Sequence, residues 1–144
     1  MNDLMYHEIF ALFEKTEKRA DKINVLRKYG GDKNFREFLI AVFNPNVIFD
    51  VEIPEYKPST EPAGLNILYL HNEVPRLYRF IVGHPRRQPG LTASKQRTLL
   101  IPLLEALHKD EADLLIRCFK KELNVPFLTP KLVKEAFPDI DLGS

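Results

Sequence analysis

The sequence predicts a mainly all-α fold, a compact bundle of about seven helices. Apolar residues recur at helical spacing along most of the chain, and capping residues or prolines stand where these patterns begin and end. Only one short segment alternates like a strand. With 144 residues, 44% of them hydrophobic, the chain has the size of one compact domain. We therefore expect a single domain over residues 1–142, with Gly143 and Ser144 set aside as a candidate cloning remnant.

Three helices are predicted in the N-terminal half. The first follows Asn2-Asp3, a favourable cap, and the second follows Thr16 and stops at Gly30-Gly31. Asp32 caps the third, which ends before Asn44-Pro45 because proline disfavours a helical residue before it. The apolar side chains of this third helix recur on one face, which makes it the clearest core helix of this half.

An irregular connection is predicted near residues 45–65. Residues 47–53 alternate and are rich in β-branched side chains, which indicates a short extended segment. Pro54, Pro58 and Pro62 then interrupt any regular structure. We expect this connection to run over the surface of the protein.

Four further helices are predicted in the C-terminal half. A short helix covers residues 72–82, and a basic loop that contains prolines follows it. Thr92 begins the longest apolar series, in which Pro102 predicts a kink or a break. Asp110 is expected to cap the next helix, and Thr129-Pro130 is expected to open the last one.

Positive charge is segregated in this sequence. Residues 74–104 contain no Asp or Glu and carry a local charge of +6. The six cations are Arg76, Arg79, Arg86, Arg87, Lys95 and Arg97. Since the whole chain has 21 basic and 20 acidic residues, its remainder carries a net charge of −5. Segregated charge of this kind favours an anionic partner.

The residues that could carry catalysis or bind a metal are scattered along the sequence. His7, His71, His84 and His108 lie on separate predicted elements, and none has a second His, a Cys or a carboxylate at the spacing of a known metal motif. Phosphate-loop, dinucleotide-binding and Gly-x-Ser-x-Gly motifs are absent from the sequence. We expect no catalytic residue, no metal site and no cofactor.

Other reactive groups have ordinary structural interpretations. Asp110, Glu111 and Asp113 cluster at a predicted helix start, where acids interact favourably with the helix dipole. Cys118 is the single cysteine, which excludes an internal disulfide, and its apolar helical neighbours predict a small buried side chain. The sequence shows no signal peptide and no run of the roughly 20 apolar residues that span a bilayer. We expect a soluble, cytoplasmic protein, located in the host cell if the gene is viral.

One predicted helix start is suited to phosphate binding. Thr92 and Ser94 are small hydroxyl residues at a helix N-terminus, where free N–H groups and the dipole favour an anion. Lys95 and Arg97 add positive charge there, and two arginines of the preceding loop can reach a neighbouring phosphate with bidentate geometry. Those loop arginines are Arg86 and Arg87.

The alternative interpretation of the same residues is structural. In that interpretation Thr92 only caps its helix, and the arginines belong to a solvated loop. Arg76 and Arg79 lie three positions apart on another predicted helix. They extend the basic face only if that helix packs beside the loop.

A family resemblance supports the phosphate-binding interpretation. Three stretches carry it: Gly-Leu-Thr-Ala-Ser-Lys at 90–95 with the Leu-rich helix that follows, Asp-Glu-Ala-Asp-Leu at 110–114 leading to Lys-Glu-Leu at 121–123, and residues 129–138, which end in Phe-Pro. With similar segments earlier in the chain, they resemble the helical N-terminal DNA-binding domain of ATP-dependent DNA ligases, the phage enzymes most closely. The resemblance extends from about Phe13 to Pro138.

The resemblance implies phosphate contacts, because that domain wraps nicked duplex DNA and binds its phosphates across the minor groove. By resemblance, contacts are expected at Thr92, Ser94 and Lys95, and at Lys131 in the last helix. The sequence departs from the family at residues 124–127, Asn-Val-Pro-Phe, where many ligases have a glycine turn. It also lacks the Lys-x-Asp-Gly motif of the adenylated lysine, so we expect no ligase activity from this chain alone.

The leading hypothesis is a stand-alone, phage-encoded, non-enzymatic protein that binds double-stranded DNA by its phosphate backbone with little sequence specificity. The alternative is a protein-interaction module on the same fold, which docks on a replication, transcription or virion protein. A net charge of only +1 and the acidic residues of the connection favour that alternative. Those residues are Asp50, Glu52, Glu55 and Glu61. A third hypothesis is an enzyme whose site the sequence does not reveal, and no membrane partner is expected.

Overall fold

A computed structural model describes residues 4–143 as a bundle of seven α-helices and one 3-10 helix, which confirms the predicted all-α fold. Within this part of the chain the only β-pairing is one isolated antiparallel bridge between Phe49 and Ile81. None of the described helices is long and apolar enough to cross a membrane. The α-helices are α1 (Tyr6–Lys15), α2 (Arg19–Tyr29), α3 (Lys33–Phe43), α4 (Leu70–Glu73), α5 (Ala93–Ala106), α6 (Lys109–Phe119) and α7 (Pro130–Ala136), and the 3-10 helix is Val74–Phe80.

Three of the predicted helix caps are confirmed. The side chains of Asp32, Thr92 and Thr129 accept hydrogen bonds from backbone amides in the first turns of α3, α5 and α7, at 2.9, 3.2 and 3.2 Å. A cap needs only a side-chain oxygen and an amide two or three residues later, so the sequence alone is enough to place it.

The start of α6 differs from the prediction. Asp110 is not the cap, because Nδ1 of His108 accepts the amide of Asp110 at 3.0 Å and Asp110 itself lies in the first turn. The carboxylate still lies at the positive end of the helix dipole, as expected for an acid in this position. The prediction was wrong because it assumed an oxygen acceptor, whereas a neutral imidazole nitrogen also accepts a hydrogen bond.

The starts of the N-terminal helices also differ from the prediction. Asn2-Asp3, the expected first cap, lies outside the described residues. α1 follows Met5, whose amide donates to Oε1 of Glu8 at 2.9 Å. Thr16 does not open the second helix, because its hydroxyl donates to the carbonyl of Leu12 and α2 begins further along the chain.

The predicted helix over residues 72–82 is divided in two. α4 ends at Glu73, and the chain continues as the tighter 3-10 helix. Pro75 has no N–H to donate to the carbonyl of His71, four positions earlier. That carbonyl accepts instead from the side-chain amide of Asn34 at 2.9 Å. The proline therefore stops the α-helix, and Asn34 satisfies the carbonyl that it leaves unpaired.

α5, by contrast, runs through Pro102. The helix is continuous from Ala93 to Ala106, so the break that the proline could have caused does not occur. α5 packs on α6, and its buried residues include Leu100 and Leu104. This packing holds the helix where proline removes one backbone hydrogen bond.

The connection near residues 45–65 is irregular, as expected, and its extended part is reduced to the Phe49–Ile81 bridge. Beside the bridge, the amide of Asp50 donates to the carbonyl of Phe80 at 3.1 Å. The connection therefore lies along the end of the 3-10 helix, and this arrangement brings the carboxylate of Asp50 to the basic loop.

The core places α6 against α1, α3, α4 and α5. Glu111 of α6 is 1% exposed, and its two carboxylate oxygens accept the amides of Tyr6 and Leu70 at 3.1 and 2.9 Å. These amides open α1 and α4, so one carboxylate satisfies unpaired donors of two helices. Burial raises the pKa of this carboxyl. Cys118 is fully buried, as expected, and burial raises the pKa of its thiol to about 12.

Candidate nucleic-acid interface

The basic loop, residues 82–91, joins the 3-10 helix to α5 through consecutive turns. The amide of Arg87 donates to the carbonyl of His84 at 3.0 Å, and the amide of Leu91 donates to that of Gln88 at 3.2 Å. Gly83 has a φ of 75°, in the left-handed region that favours glycine. Local hydrogen bonds therefore define the path of the loop to the start of α5.

Arg87 is held by a carboxylate of the connection. Its Nη1 lies 2.6 Å from Oδ1 of Asp50, and its Nη2 lies 3.0 Å from Oδ2. The buried amide of Gln96, oriented to satisfy both neighbours, donates to the carbonyl of Asp50 at 3.2 Å and accepts from Arg87 Nη2 at 3.3 Å. The hydrogen bond from Arg87 holds the pKa of Asp50 below its ordinary value. Only 16% of the Arg87 side chain is exposed, so its charge anchors the loop.

The start of α5 leaves backbone donors open. Oγ1 of Thr92 accepts the amide of Lys95, and the carbonyl of Thr92 accepts the amide of Gln96. No group within residues 4–143 accepts from the amides of Ala93 and Ser94. The first turn contains no acid, and the side chains of Thr92, Ser94 and Lys95 are exposed. Two amides and the positive end of the helix dipole therefore lie beside an exposed lysine.

Arg86, the neighbour of Arg87 in the basic loop, is exposed and stacks on Tyr78, with the guanidinium carbon 4.7 Å from the ring centre. Its amide donates to Nδ1 of His84 at 3.1 Å, and the ring of His84 packs on Tyr78 as well. No carboxylate of the described chain pairs with Arg86. Stacking orients the guanidinium and leaves its edge able to donate to an anion.

Arg97 lies one turn further along α5 and pairs with Glu52. The two groups are 3.5 Å apart, and their side chains are 54% and 81% exposed. A pair this exposed contributes little to stability. Arg97 can therefore exchange its carboxylate partner for a phosphate.

Arg76 and Arg79 lie on the 3-10 helix, which does pack beside the basic loop through Tyr78. Three residues complete a turn of such a helix, so the two arginines share one face and Tyr78 projects from another. Arg76 pairs with Glu73 at 3.4 Å, and Nε of Arg79 donates to the carbonyl of Arg76 at 3.0 Å. The 3-10 helix packs beside the loop, but Arg76 and Arg79 lie on a different face of that helix from the one that Arg86 contacts.

Lys131 is exposed at the second position of α7. α7 packs on α2, whereas α5 packs on α6. Lys131 therefore belongs to a different part of the bundle from the start of α5. Arg87 contacts Gln96 of α5, so it lies beside the helix that carries Ser94, Lys95 and Arg97 and is capped by Thr92, whereas the neighbouring Arg86 packs on Tyr78 of the 3-10 helix. No contact between the described residues joins Arg76, Arg79 or Lys131 to the start of α5.

The structure also brings together two histidines that the sequence keeps apart. The rings of His7 and His108 stack with 4.5 Å between their centres and 11° between their planes, and Asp110 lies 4.0 Å from Nε2 of His7. Potential ligand atoms of the three side chains lie within 4.8 Å of one another. Nδ1 of His108 is already an acceptor for the Asp110 amide, and parallel rings do not direct their lone pairs to one point. The arrangement is therefore a poor metal site, and no local spacing could have revealed it.

The chain belongs to DUF6433, a family of unknown function, whose model matches residues 9–125. No curated protein matches the chain. The matched range contains the basic loop and the start of α5, and it ends before Lys131.

Proposed function

We propose that this member of DUF6433 binds duplex DNA through the phosphate backbone, with the start of α5 as its principal phosphate site. One observation supports this most strongly. Two amides without an acceptor in the described chain, two exposed hydroxyl groups and Lys95 surround a helix N-terminus whose first turn has no acid. A phosphate oxygen can accept hydrogen bonds from such amides while the lysine balances its charge.

Arg86 provides a second contact in the proposed interface. Its stacking on Tyr78 restrains the guanidinium before DNA arrives, which lowers the entropy lost on binding. Arg97 joins the interface when it exchanges Glu52 for a phosphate. Arg87 acts indirectly, since its bonds to Asp50 hold the loop beside α5.

All of the proposed contacts are to phosphate, so the protein binds with little sequence specificity and without catalysis. The resemblance to the DNA-binding domain of phage ligases supports the same function. Asn124 and Phe127 have φ angles of 56° and 68°, in the turn where many ligases have glycine. The backbone there takes the left-handed course that a glycine would favour.

The test is fluorescence anisotropy with a short labelled duplex, nicked or intact, at about 50 mM and about 200 mM salt. We expect the wild-type protein to bind the duplex at the lower salt concentration, and we expect its affinity to fall steeply at the higher one. Changing Arg86 and Lys95 together to Ala removes two phosphate contacts. The double variant should bind at least about tenfold more weakly, and its slope of log K against log salt should fall by about 2.

Lys109 provides the matched control for Lys95. It is an exposed lysine at the start of α6, where Asp110 and Glu111 occupy the first turn. Lys109→Ala should therefore leave the affinity for DNA unchanged. The proposal fails if the wild-type protein does not bind either duplex at the lower salt, or if Lys109→Ala weakens binding as much as the double variant does.

A protein partner is the second candidate, because acids of the connection neutralise two of the cations in residues 74–104. Asp50 pairs with Arg87, and Glu52 pairs with Arg97. Affinity capture from infected cells, with and without nuclease, separates the two functions. A protein that is still captured after nuclease treatment supports direct protein docking. A protein that is no longer captured was held through DNA, which supports DNA binding.

A further inference from the structure

A pocket of about 530 Å³ lies at the starts of α1, α3 and α4, and no residue of the basic loop lines it. Its size is that of a small-molecule site, since such sites measure about 300–1,000 Å³. Aromatic side chains form much of its wall, including Tyr6, Tyr29 and Phe35. These three side chains are only 1–5% exposed, so they close the floor of the pocket.

The pocket is also negatively charged. Three carboxylates line it, from Glu8, Asp32 and Glu111. Among the described lining residues only His71 can carry a positive charge, and its Nε2 lies 2.5 Å from Oδ2 of Asp32. Even with His71 protonated, the acids are in excess, so the pocket favours a cation over an anion.

Tyr6 supplies a polar group that the protein leaves unused. The residue is 2% exposed, and its hydroxyl has no hydrogen-bond partner in the described chain. Burial, followed by the negative charges of Asp32 and Glu111, raises the pKa of this phenol, so it stays neutral. Tyr6 and both of those carboxylates are among the residues that line the pocket. An unpaired buried hydroxyl is unfavourable, and a ligand that donates a hydrogen bond to it would relieve the penalty.

We propose that this pocket binds a small organic cation that carries a planar amidinium or guanidinium group. The cation lies over the buried aromatic floor and donates to the carboxylates of Asp32 and Glu8. The hydroxyl of Tyr6 accepts a further N–H from the same group. A carboxylate or phosphate ligand would instead face three acids.

Isothermal titration with benzamidine, using benzoate as a probe of the same shape and opposite charge, tests the proposal. Asp32→Asn removes the charge and keeps a good helix cap, and Tyr6→Phe removes only the hydroxyl. We expect benzamidine to bind, Asp32→Asn to weaken it about tenfold, and Tyr6→Phe to weaken it about threefold. Benzoate should not bind.

Equal binding of benzoate and benzamidine would overturn the proposal, and so would wild-type affinity for benzamidine in both variants. If either variant unfolds, Glu8→Gln gives a third measurement, with weaker benzamidine binding expected and unchanged binding contradictory. The Arg86→Ala and Lys95→Ala double variant should bind benzamidine normally, which keeps this site distinct from the DNA interface. Comparison of agmatine with a capped arginine peptide then shows whether a free small molecule or an arginine side chain fits the pocket better.

Discussion

Arg87 and Asp50 form a two-point ion pair, with 2.6 Å between Nη1 and Oδ1 and 3.0 Å between Nη2 and Oδ2. The partners are 37 positions apart, one in the basic loop and the other in the connection that follows α3. Neither segment has regular secondary structure of its own at this point. The pair therefore fixes the approach of the loop to the first turn of α5.

A double-mutant cycle should reveal this coupling. We expect Asp50→Asn, Arg87→Gln and the double variant to give an interaction energy of about 0.5–1 kcal/mol, modest because the carboxylate is half exposed. The measurement is urea unfolding followed by circular dichroism at neutral pH. Single effects that add up to the effect of the double variant would contradict the coupling.

The same pair predicts a dependence on pH. The hydrogen bond from Arg87 lowers the pKa of Asp50 in the folded state, so the unfolded chain takes up the proton first as acid is added. The coupling should therefore be complete above the unfolded pKa of about 3.9 and should disappear as the pH falls through the folded value. Repeating the cycle near pH 3 checks the sign.

Glu52→Gln should strengthen DNA binding about two- to threefold, because it releases Arg97 from its carboxylate partner and makes the interface more positive. The anisotropy assay at low salt measures the change. Glu55→Gln is the control, since Glu55 is exposed on the same connection without a cation paired to it in the described chain. If both variants gain equally, Arg97 has no specific role and only the net charge matters.

Local chemistry explains which parts of the fold the sequence could predict. Asp32, Thr92 and Thr129 mark helix starts correctly because each accepts an amide only two or three residues away. At α6 the same rule predicted Asp110 as the cap, because side-chain oxygens are the usual acceptors. The cap is instead Nδ1 of His108. The sequence therefore mispredicted the helix boundaries that depend on an unusual acceptor or on the geometry of proline.

The candidate site was predictable only in part, for a related reason. The hydroxyls, the lysine and the helix start are consecutive residues, so they were visible as one pattern from Thr92 to Lys95. The partner of Arg87 lies far away in sequence, and so does the second histidine of the His7–His108 stack. Such contacts depend on how the helices pack, which no local spacing encodes.

Stability should fall in mild acid because of His7. Burial, and then the neighbouring His108, lower the pKa of His7, with Asp110 and Glu8 opposing the shift. Above pH of about 6.5 the imidazole is neutral in both states, and below it the unfolded chain binds the proton more readily. The folded state therefore loses stability as the pH falls.

His7→Phe isolates this contribution, since it keeps a ring for stacking and removes both the charge and the unpaired Nδ1. Urea unfolding between about pH 7.5 and pH 5 should show that the wild-type protein loses stability relative to the variant as the pH falls. Parallel curves for the two proteins would show that His7 does not titrate as expected.

Gly30 is required by close packing between α2 and α7. A Cβ at this position would lie 2.1 Å from Cζ of Phe137, whereas a Cβ on Gly31 would meet nothing within 4 Å. Gly30→Ala should lower the free energy of unfolding by about 1–3 kcal/mol, and Gly31→Ala should change it little. Denaturant unfolding of the two variants provides the comparison, and equal losses would contradict the packing argument.

Trimming the ring should relieve the overlap. Phe137→Leu in the Gly30→Ala background is expected to restore part of the lost stability, although the same change alone lowers the stability of the wild-type protein. If the effects of the two changes on the free energy of unfolding are simply additive, the ring of Phe137 is not what excludes a side chain at Gly30.

The bond between Glu111 and the amide of Tyr6 spans 105 of the 144 positions of the chain. Closing so long a loop has a large entropic cost, so contacts of this kind form late in folding. A nascent chain that leaves the ribosome N-terminus first cannot complete this bond until residue 111 has been synthesised. α1 can therefore pack on α2 as soon as both helices have been made, whereas its hydrogen bond to α6 waits until most of the chain has been synthesised.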